Sequence, residues 1–245
     1  MSRPIEGQDA PFDRTAGNLA VKVTGRDSLG SLPCADAVAI PAIHDRNRAM
    51  CAATLRHIPT TASPAMPIRP FRDKTPVLGE RCYVDEGAHV IGDVVLGDDA
   101  SLWPGVVVRG DVNHIRIGAR TNVQDGTIIH VTHDGPYTKP DGFPTIIGAD
   151  VTIGHAACIH ACTIEDACLI GMKALVLDGA VVRKHGFVGA GAVVPPGKVV
   201  ESGELWLGNP AKPVRRLSDR EIEQLYYSAK HYVRLKDAYL GLPLE

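Results

Sequence analysis

The chain has 245 residues, with 26 Lys and Arg against 28 Asp and Glu, and a formal net charge of -2. Because the charges nearly balance, the composition excludes a strongly basic protein that binds nucleic acid or an anionic membrane surface. With 25 Gly and 18 Pro but only 2 Trp and 4 Phe, the chain favours many tight turns and few bulky core residues.

Residues 1–65 lack a periodic apolar pattern and contain a single aromatic residue, Phe12. We therefore expect a disordered extension, or a mis-assigned start with Met66 as the true first residue. The sequence carries no recognisable signal peptide and no apolar run long enough for a membrane span. These features predict a cytoplasmic protein whose six cysteines are free thiols.

From Leu78 to Val194, aliphatic residues recur at steps of six, with breaks between Val108 and Ile117 and between Ile129 and Ile147 and one shortened step after Ile159. Neither the period of a helix nor that of an ordinary strand fits this pattern. The repeat resembles the left-handed parallel β-helix, in which three hexapeptides form one coil, and its handedness rests on that resemblance. Residues 66–217 are thus predicted to form a mainly β, single-stranded left-handed parallel β-helix of about six coils. Small residues four positions later, such as Cys82, Thr163 and Cys168, are expected to fill the core beside each aliphatic residue.

Residues 218–245 are predicted to form a C-terminal α-helix that packs on the β-helix. Ser218 and Glu221 have the spacing of a capping box, and Gly241 is a suitable stop. Between them, an apolar stripe marks the face that packs: Ile222, Leu225, Tyr226, Ala229, Val233 and Tyr239.

Three of the ten histidines take special positions in the repeat. His130 and His160 each follow an aliphatic residue on the same edge, provided that about twelve residues are extruded between them. The turn-rich segment 133–144 supplies that loop. Two imidazoles one strand spacing apart, about 4.8 Å, can share a metal ion with Zn–N distances of about 2.1 Å.

His155 lies on a neighbouring edge, from which it can reach only the metal ion of another subunit. The pattern therefore predicts a homotrimer whose interfaces each take His130 and His160 from one chain and His155 from the next. Cys158 and Cys162 remain a less favoured alternative as ligands. By the same registration, Arg109 faces Asp125 of the next chain, either as a structural ion pair or in orienting the metal site.

These residues, with Arg109-Gly110-Asp111, Asn122-Val123-Gln124-Asp125 and Gly208-Asn209-Pro210, resemble the γ-class carbonic anhydrases from about Met66 to Leu240. The resemblance implies reversible hydration of CO2 to bicarbonate by a metal-bound hydroxide at homotrimer interfaces. It implies Zn2+, or alternatively Fe2+ or Co2+, held by His130, His155 and His160. Gln124 would hydrogen-bond the hydroxide, and Arg109, Asp111 and Asp125 would order the surrounding network.

The sequence departs from the best-characterised γ enzymes at three points. Val112 replaces an expected Glu, a longer acidic loop is missing, and Trp206 stands where a tyrosine is expected. His133, Asp134 or Asp141 could replace the missing proton shuttle. Two alternatives stay open: an inactive metal-binding hexapeptide-repeat scaffold, and an acyltransferase or thioesterase acting on coenzyme A substrates.

Overall fold

The computed structural model describes residues 67–243, so the predicted extension at 1–65 lies outside the described residues. The described chain forms twenty short strands and one helix. The strands are β1 (Ile68–Arg69), β2 (Val77–Leu78), β3 (Tyr83–Val84), β4 (His89–Leu96), β5 (Ser101–Leu102), β6 (Val107–Ile117), β7 (Asn122–Val123), β8 (Ile128–His130), β9 (Thr145–Ile147) and β10 (Thr152–Ile153). They continue as β11 (Cys158–His160), β12 (Thr163–Ile164), β13 (Leu169–Ile170), β14 (Leu175–Val176), β15 (Val181–Val182), β16 (Phe187–Val188), β17 (Val193–Val194), β18 (Val199–Val200), β19 (Glu204–Leu207) and β20 (Lys212–Arg216), and the helix is α1 (Asp219–Tyr239).

The strands stack as a parallel β-solenoid with three faces, which confirms the predicted mainly β fold. The histidine face contains β8, β11, β14 and β17, the open face contains β9, β12, β15 and β18, and the helix face contains β3, β5, β7, β10, β13, β16, β19 and β20. The long strands β4 and β6 each turn a corner and pair in both the histidine and open faces. Only β20 pairs antiparallel among these named strands, closing the last coil.

The aliphatic residues of the repeat lie in register along the axis of the solenoid. On the histidine face, Val108 pairs with Ile129, Ile129 with Ile159, and Ile159 with Val176. All four are completely buried. Each of these side chains contributes about 1.5–3 kcal/mol to the stability of the fold by leaving water. Because the column lies along the axis of the solenoid, it stabilises all three faces.

The repeat extends two steps beyond the predicted end at Val194. Val200 pairs with Val182 on the open face, and Trp206 pairs with Val188 on the helix face. Trp206 is 9% exposed. This residue therefore closes the core at the last coil, and its position in the axis column explains why a tryptophan stands there.

The shortened step after Ile159 changes which residue fills the small core position. Cys162 is buried beside Ile164, whereas Thr163 points outward and pairs with Ile146. The prediction for Thr163 was wrong, because losing one residue from the step shifts inward and outward positions by one. The prediction for Cys168, which is 1% exposed, is confirmed.

Two interruptions of the repeat shape the histidine face. Gly92 pairs with Gly110, but the next pair is Val94 with Ile115, so β6 bulges outward over residues 111–114. Between β8 and β9, residues 131–144 form the predicted loop, and its two ends pair at Thr132 and Phe143. Because this loop takes up the extra residues, β8 and β11 align in the same register.

Helix α1 packs against β5, β7 and β10 of the helix face. Ser218 and Glu221 form both hydrogen bonds of the predicted capping box, and Gly241 has φ of +67° just after the C-cap. Leu225 and Ala229 are buried as predicted, and Lys236 is buried as well. Over residues 67–243, no helix is both long and apolar enough to cross a membrane.

Candidate metal centre

The first group of predicted site residues lies on the histidine face. His130 at the end of β8 and His160 at the end of β11 are register partners, as the spacing predicts. Nδ1 of His130 and Nε2 of His160 approach to 3.2 Å. Their positions follow from the solenoid, because a residue just after the buried aliphatic points outward on each coil.

Carboxylates hold the other nitrogen of each ring. Nε2 of His130 lies 3.0 Å from Oδ1 of Asp111, and Nδ1 of His160 lies 2.7 Å from Oδ1 of Asp178. An ionised carboxylate only accepts hydrogen bonds, so a neutral ring must carry its proton on the nitrogen facing it. With both rings neutral in these tautomers, Nδ1 of His130 and Nε2 of His160, which lie 3.2 Å apart, are the two nitrogens without a proton.

This pair of nitrogens fits a metal ion. Two nitrogen ligands at about 2.1 Å with a tetrahedral angle between them are separated by about 3.4 Å. The observed separation of 3.2 Å is close to that value. Carboxylate partners on ligating imidazoles are also the usual support of a metal site, since they fix the ring and raise its basicity.

Arg109 and Asp111 complete this first group. Nη1 of Arg109 donates to Oδ2 of Asp111 at 2.5 Å. Burial alone would raise the pKa of Asp111, but hydrogen bonds from Arg109 and His130 outweigh it and hold the pKa below its ordinary value. Burial, the strongest influence on His130, keeps its pKa below the usual range. The ring is thus neutral and its Nδ1 available as a ligand near pH 7.

The second group lies at the edge of the helix face. Nδ1 of His155 is 2.7 Å from Oδ2 of Asp125, one coil earlier, and both side chains are about half exposed. The neighbouring Gln124 is 6% exposed and donates to Oδ1 of Asn122 at 3.2 Å. His155 therefore presents its Nε2 outward, with its proton directed to Asp125.

The seven predicted site residues thus fall into two groups, separated by face. His130, His160, Arg109 and Asp111 belong to the histidine face, while His155, Gln124 and Asp125 belong to the helix face. Within the described part of one chain, no three His, Cys, Asp or Glu side chains gather as a metal site.

The two cysteines considered as alternative ligands are poorly placed for that role. Cys162 is 2% exposed in the core, where burial raises the pKa of its thiol. Cys158 points outward beside Ile128 and Leu175 on the histidine face, and burial raises its thiol pKa also. Both therefore stay protonated thiols, which are weak metal ligands.

Asp178 is the contact that the sequence reasoning missed. It lies in the coil after His160, just beyond β14 and one residue past the position in register with His160, so the sequence offers only the presence of an acidic residue in that coil as a signal. Its second oxygen accepts a hydrogen bond from the hydroxyl of Thr132. Burial would raise its pKa, but hydrogen bonds from Thr132 and His160 hold the pKa below the usual value.

The other residues considered as proton carriers lie in the exposed loop after β8. His133, Asp134 and Asp141 are all exposed. Val112, which stands where a Glu is expected, is 47% exposed on the bulge of β6. These residues lie on the side of the histidine face. Among the hydrogen bonds of the described residues, none joins them to the ring of His130 or His160.

Comparisons with known proteins find the same repeat and close relatives. Residues 75–110 match the family model "Bacterial transferase hexapeptide (six repeats)". Protein YrdA of Escherichia coli is 52% identical over 71% of this chain and 94% of its own length. Gamma carbonic anhydrase 2, mitochondrial, of Arabidopsis thaliana is 48% identical over 66% of this chain and 58% of its own length. A probable carbonic anhydrase of Methanocaldococcus jannaschii is 39% identical over 66% of this chain and 96% of its own.

A solved structure shares the fold at lower identity. The putative acetyltransferase product of the BC4754 gene of Bacillus cereus is 34% identical, with a TM-score of 0.66 over 72% of this chain and 98% of that one. The name of that protein points to acyl transfer, a different chemistry from that of the carbonic anhydrases.

Proposed function

The chain belongs to the γ-carbonic-anhydrase-like family of hexapeptide-repeat proteins, and from this premise we propose that it catalyses the reversible hydration of CO2 to bicarbonate. The proposed enzyme is a homotrimer that holds one divalent metal ion, Zn2+ or alternatively Fe2+ or Co2+, at each interface. The observation that carries the proposal is the 3.2 Å approach of Nδ1 of His130 to Nε2 of His160, with a carboxylate at the other nitrogen of each ring.

The third ligand in this proposal is His155 of the next chain. Three neutral imidazoles with one open position are the usual pattern of a catalytic zinc site, whereas closed structural sites use more cysteine. His155 supports this role because it is exposed, has its Nδ1 proton directed to Asp125, and keeps Nε2 as a ligand. Its place on another face is what a site shared between chains requires.

An apolar stripe beside the two histidines supports an interface on the histidine face. The stripe consists of outward side chains in register on successive coils: Val107, Ile128, Cys158, Leu175 and Val193. Ile128 is 49% exposed in the single chain. Burial of such a stripe against another copy is favourable at about 25 cal/mol per Å² of apolar surface.

The metal ion would supply the acidity that turns a water molecule into a nucleophile at neutral pH. Around it, Asp111 and Asp125 hold the protons of His130 and His155 away from the ligand nitrogens. Arg109 fixes Asp111, and we propose that it also meets Asp125 of the next chain. Gln124, which is nearly buried beside His155, would orient the attacking water through its amide.

Acyl transfer on coenzyme A substrates is the rival within the same fold, because the Bacillus cereus protein is named an acetyltransferase. In that chemistry a histidine acts as general base and must have an open nitrogen near the nucleophile. The two ring nitrogens of His130 and His160 that face each other at 3.2 Å favour a shared cation over this role. The inactive scaffold would bind the same metal ion but would not turn over CO2. Val112, which is exposed where a Glu is expected, is the residue that supports this alternative.

The deciding experiment measures metal content and CO2 hydration on the same sample, purified without oxygen. We expect about one metal ion per chain and stopped-flow hydration above that of metal-free protein. Full metal without hydration would favour the scaffold, and absence of metal with hydrolysis of an acyl-coenzyme A would favour acyl transfer.

Exchange of His155 tests whether the site is shared. His155→Ala should lower metal content at every interface while the circular dichroism of the solenoid is unchanged. His231→Ala, an exposed histidine on α1, is the matched control and should retain full metal. Light scattering should give about three times 26.1 kDa for the unmodified protein. Full metal in His155→Ala, or a monomer that binds metal, would reject the shared site.

The cytoplasmic location expected from the sequence stays a prediction. The four cysteines in the described residues, Cys82, Cys158, Cys162 and Cys168, are free thiols, which is compatible with a reducing compartment. Cell fractionation with an antibody against the native protein would test it.

A further inference from the structure

We propose that Asp178 is the positioning residue of His160, and that Thr132 and Asn113 connect it, by hydrogen bonds and the two-residue backbone step from Asn113 to Asp111, to the carboxylate that holds His130; these residues are called the belt. The belt would hold the two imidazoles as a preformed pair before any metal ion arrives. The inference deepens the proposed function and rests on it for the identity of the bound ion, but not for the geometry of the belt.

Asp178 is held in place by two donors. Its Oδ1 lies 2.7 Å from Nδ1 of His160, and its Oδ2 accepts the hydroxyl hydrogen of Thr132. With both oxygens engaged, the carboxylate cannot rotate freely, so it selects both the tautomer and the direction of the ring. The side chain of Asp178 is 33% exposed, partly shielded from competing water.

Thr132 is fixed at the root of the loop after β8. Its backbone N–H donates to the carbonyl of Phe143 at 2.9 Å, and its carbonyl accepts from the N–H of Phe143 at 3.0 Å. The hydroxyl is therefore presented to Asp178 from a backbone position secured on both sides. Since Thr132 follows His130 by two residues, the same segment of chain supports both halves of the pair.

Asn113 joins this loop to the other carboxylate. Its Nδ2 donates to the carbonyl of Thr132 at 3.1 Å and to the carbonyl of Asp141 at 2.8 Å. Asn113 lies on the bulge of β6, two residues after Asp111, which holds His130. The belt therefore has two hydrogen-bonded segments, His130 with Asp111, and Asn113 with Thr132, Asp178 and His160, and the backbone step from Asp111 to Asn113 joins them.

The belt opposes a specific electrostatic cost. With both rings neutral and their protons on the carboxylate side, the facing nitrogens at 3.2 Å carry lone pairs that repel each other, and a free imidazole would rotate or change tautomer to avoid the contact. The free energy of folding offsets this repulsion, so a metal ion would bind to ligands that are already oriented. Loss of a hydrogen-bonded partner behind a metal-binding histidine typically weakens metal affinity by about 10–100-fold.

Zinc affinity of the full-length protein, measured by competition with a chromophoric chelator, tests the belt. Asp178→Ala should weaken zinc binding about 10–100-fold. Asp178→Asn should weaken it less, because an amide oxygen can still accept the Nδ1 hydrogen of His160. Thr132→Val should also weaken binding, because it leaves Asp178 with one donor. Glu223→Gln, an exposed carboxylate on α1, is the control for loss of one charge and should bind zinc normally.

A second measurement separates the belt from the proposed enzyme. In metal-free protein, ¹⁵N chemical shifts of the His160 ring should show the proton on Nδ1, and Asp178→Asn or Thr132→Val should raise the fraction of the other tautomer. That result supports the belt even if the protein hydrates no CO2. A proton on Nε2 in the unmodified protein, or zinc affinity unchanged in both Asp178 variants, would overturn it. If Asp178→Ala does not fold, the Asn and Val variants carry both measurements.

Discussion

The helix face and the histidine face are built from the same hexapeptide repeat, yet one is covered and the other is left uncovered by the described chain. Helix α1 covers β5, β7 and β10, where Trp103 packs against Tyr83, Tyr232 and Tyr239 at centroid distances of 5.2–5.6 Å. On the histidine face, the outward positions carry the stripe with Ile128 and the paired imidazoles, and Ile128 remains 49% exposed.

The difference shows that inward residues build the solenoid while outward residues decide what each face does. Both faces bury an uninterrupted aliphatic column. The aromatic side chains of the helix face pack within the chain under α1, so this part of the face serves stability, while His155 and Asp125 lie exposed at its edge. On the histidine face, α1 does not cover the exposed stripe and the carboxylate-held histidines, and it is there that we propose the partner chain and the metal ion. Four substitutions should separate these roles, taken in order of their expected effect on folding.

Trp103→Ala should have the largest effect, because it removes the centre of the aromatic cluster under α1. The residue is 5% exposed, and loss of a buried tryptophan typically costs about 3–5 kcal/mol. Urea unfolding at fixed protein concentration measures the loss. Tyr137→Ala, at a loop residue that is 99% exposed, should leave the unfolding curve unchanged.

Lys236→Ala should cost about 2–3 kcal/mol, because it removes a buried ammonium group that pairs with two partly buried carboxylates, of which Asp99 keeps its ion pair with Arg81. The side chain of Lys236 is fully buried, with Nζ 2.9 Å from Oδ1 of Asp99 and in contact with Asp237. Urea unfolding followed by helical circular dichroism measures it. Lys230→Ala, exposed on the same helix, is the control. An equal effect of both substitutions would mean that the ion pair adds nothing.

Ser218→Ala should cost about 1 kcal/mol by removing the N-cap of α1. The same terminus should be sensitive to acid, because hydrogen bonds from Arg215 and then Ser218 lower the pKa of Glu221 from 4.5 to about 2. A folded-state pKa below the unfolded one stabilises above pH 4.5 and loses that contribution as the pH falls toward 2. Thermal unfolding across pH 2–5 should show this loss, and Glu221→Gln should remove that part of the pH dependence.

Ile128→Ser should have the smallest effect on the folding of one chain, within about 0.5 kcal/mol, because the residue is half exposed. It should nevertheless reduce the mass in light scattering if the stripe is the interface. Val77→Ser, at a residue of β2 that is 58% exposed, removes a comparable apolar side chain elsewhere and should leave the mass unchanged. A drop in mass for both variants would contradict a specific role of the stripe.

Most of the fold was predictable because a six-residue period assigns every aliphatic residue to one face of the solenoid. The alignment of His130 with His160 followed from the same counting, once the loop after β8 was recognised by its turn residues. Counting in steps of six gave the wrong direction for the side chain of Thr163, and it ended the repeat before Val200 and Trp206. In the first case a shortened coil shifted the register, and in the others the repeat ran into sequence that no longer contained its small residues.

The sequence alone determined the solenoid, the capped helix and the two outward-facing histidines, because each depends on spacing along the chain. Only the tertiary structure decided the partners of those side chains. Asp178 reaches His160 from the next coil of a solenoid whose coil lengths vary through a bulge, a loop and a shortened step. Lys236 reaches Asp99 from helix α1. The direction of a side chain depends on these local departures from the period, and so do the carboxylate contacts that make two neighbouring histidines a candidate metal centre.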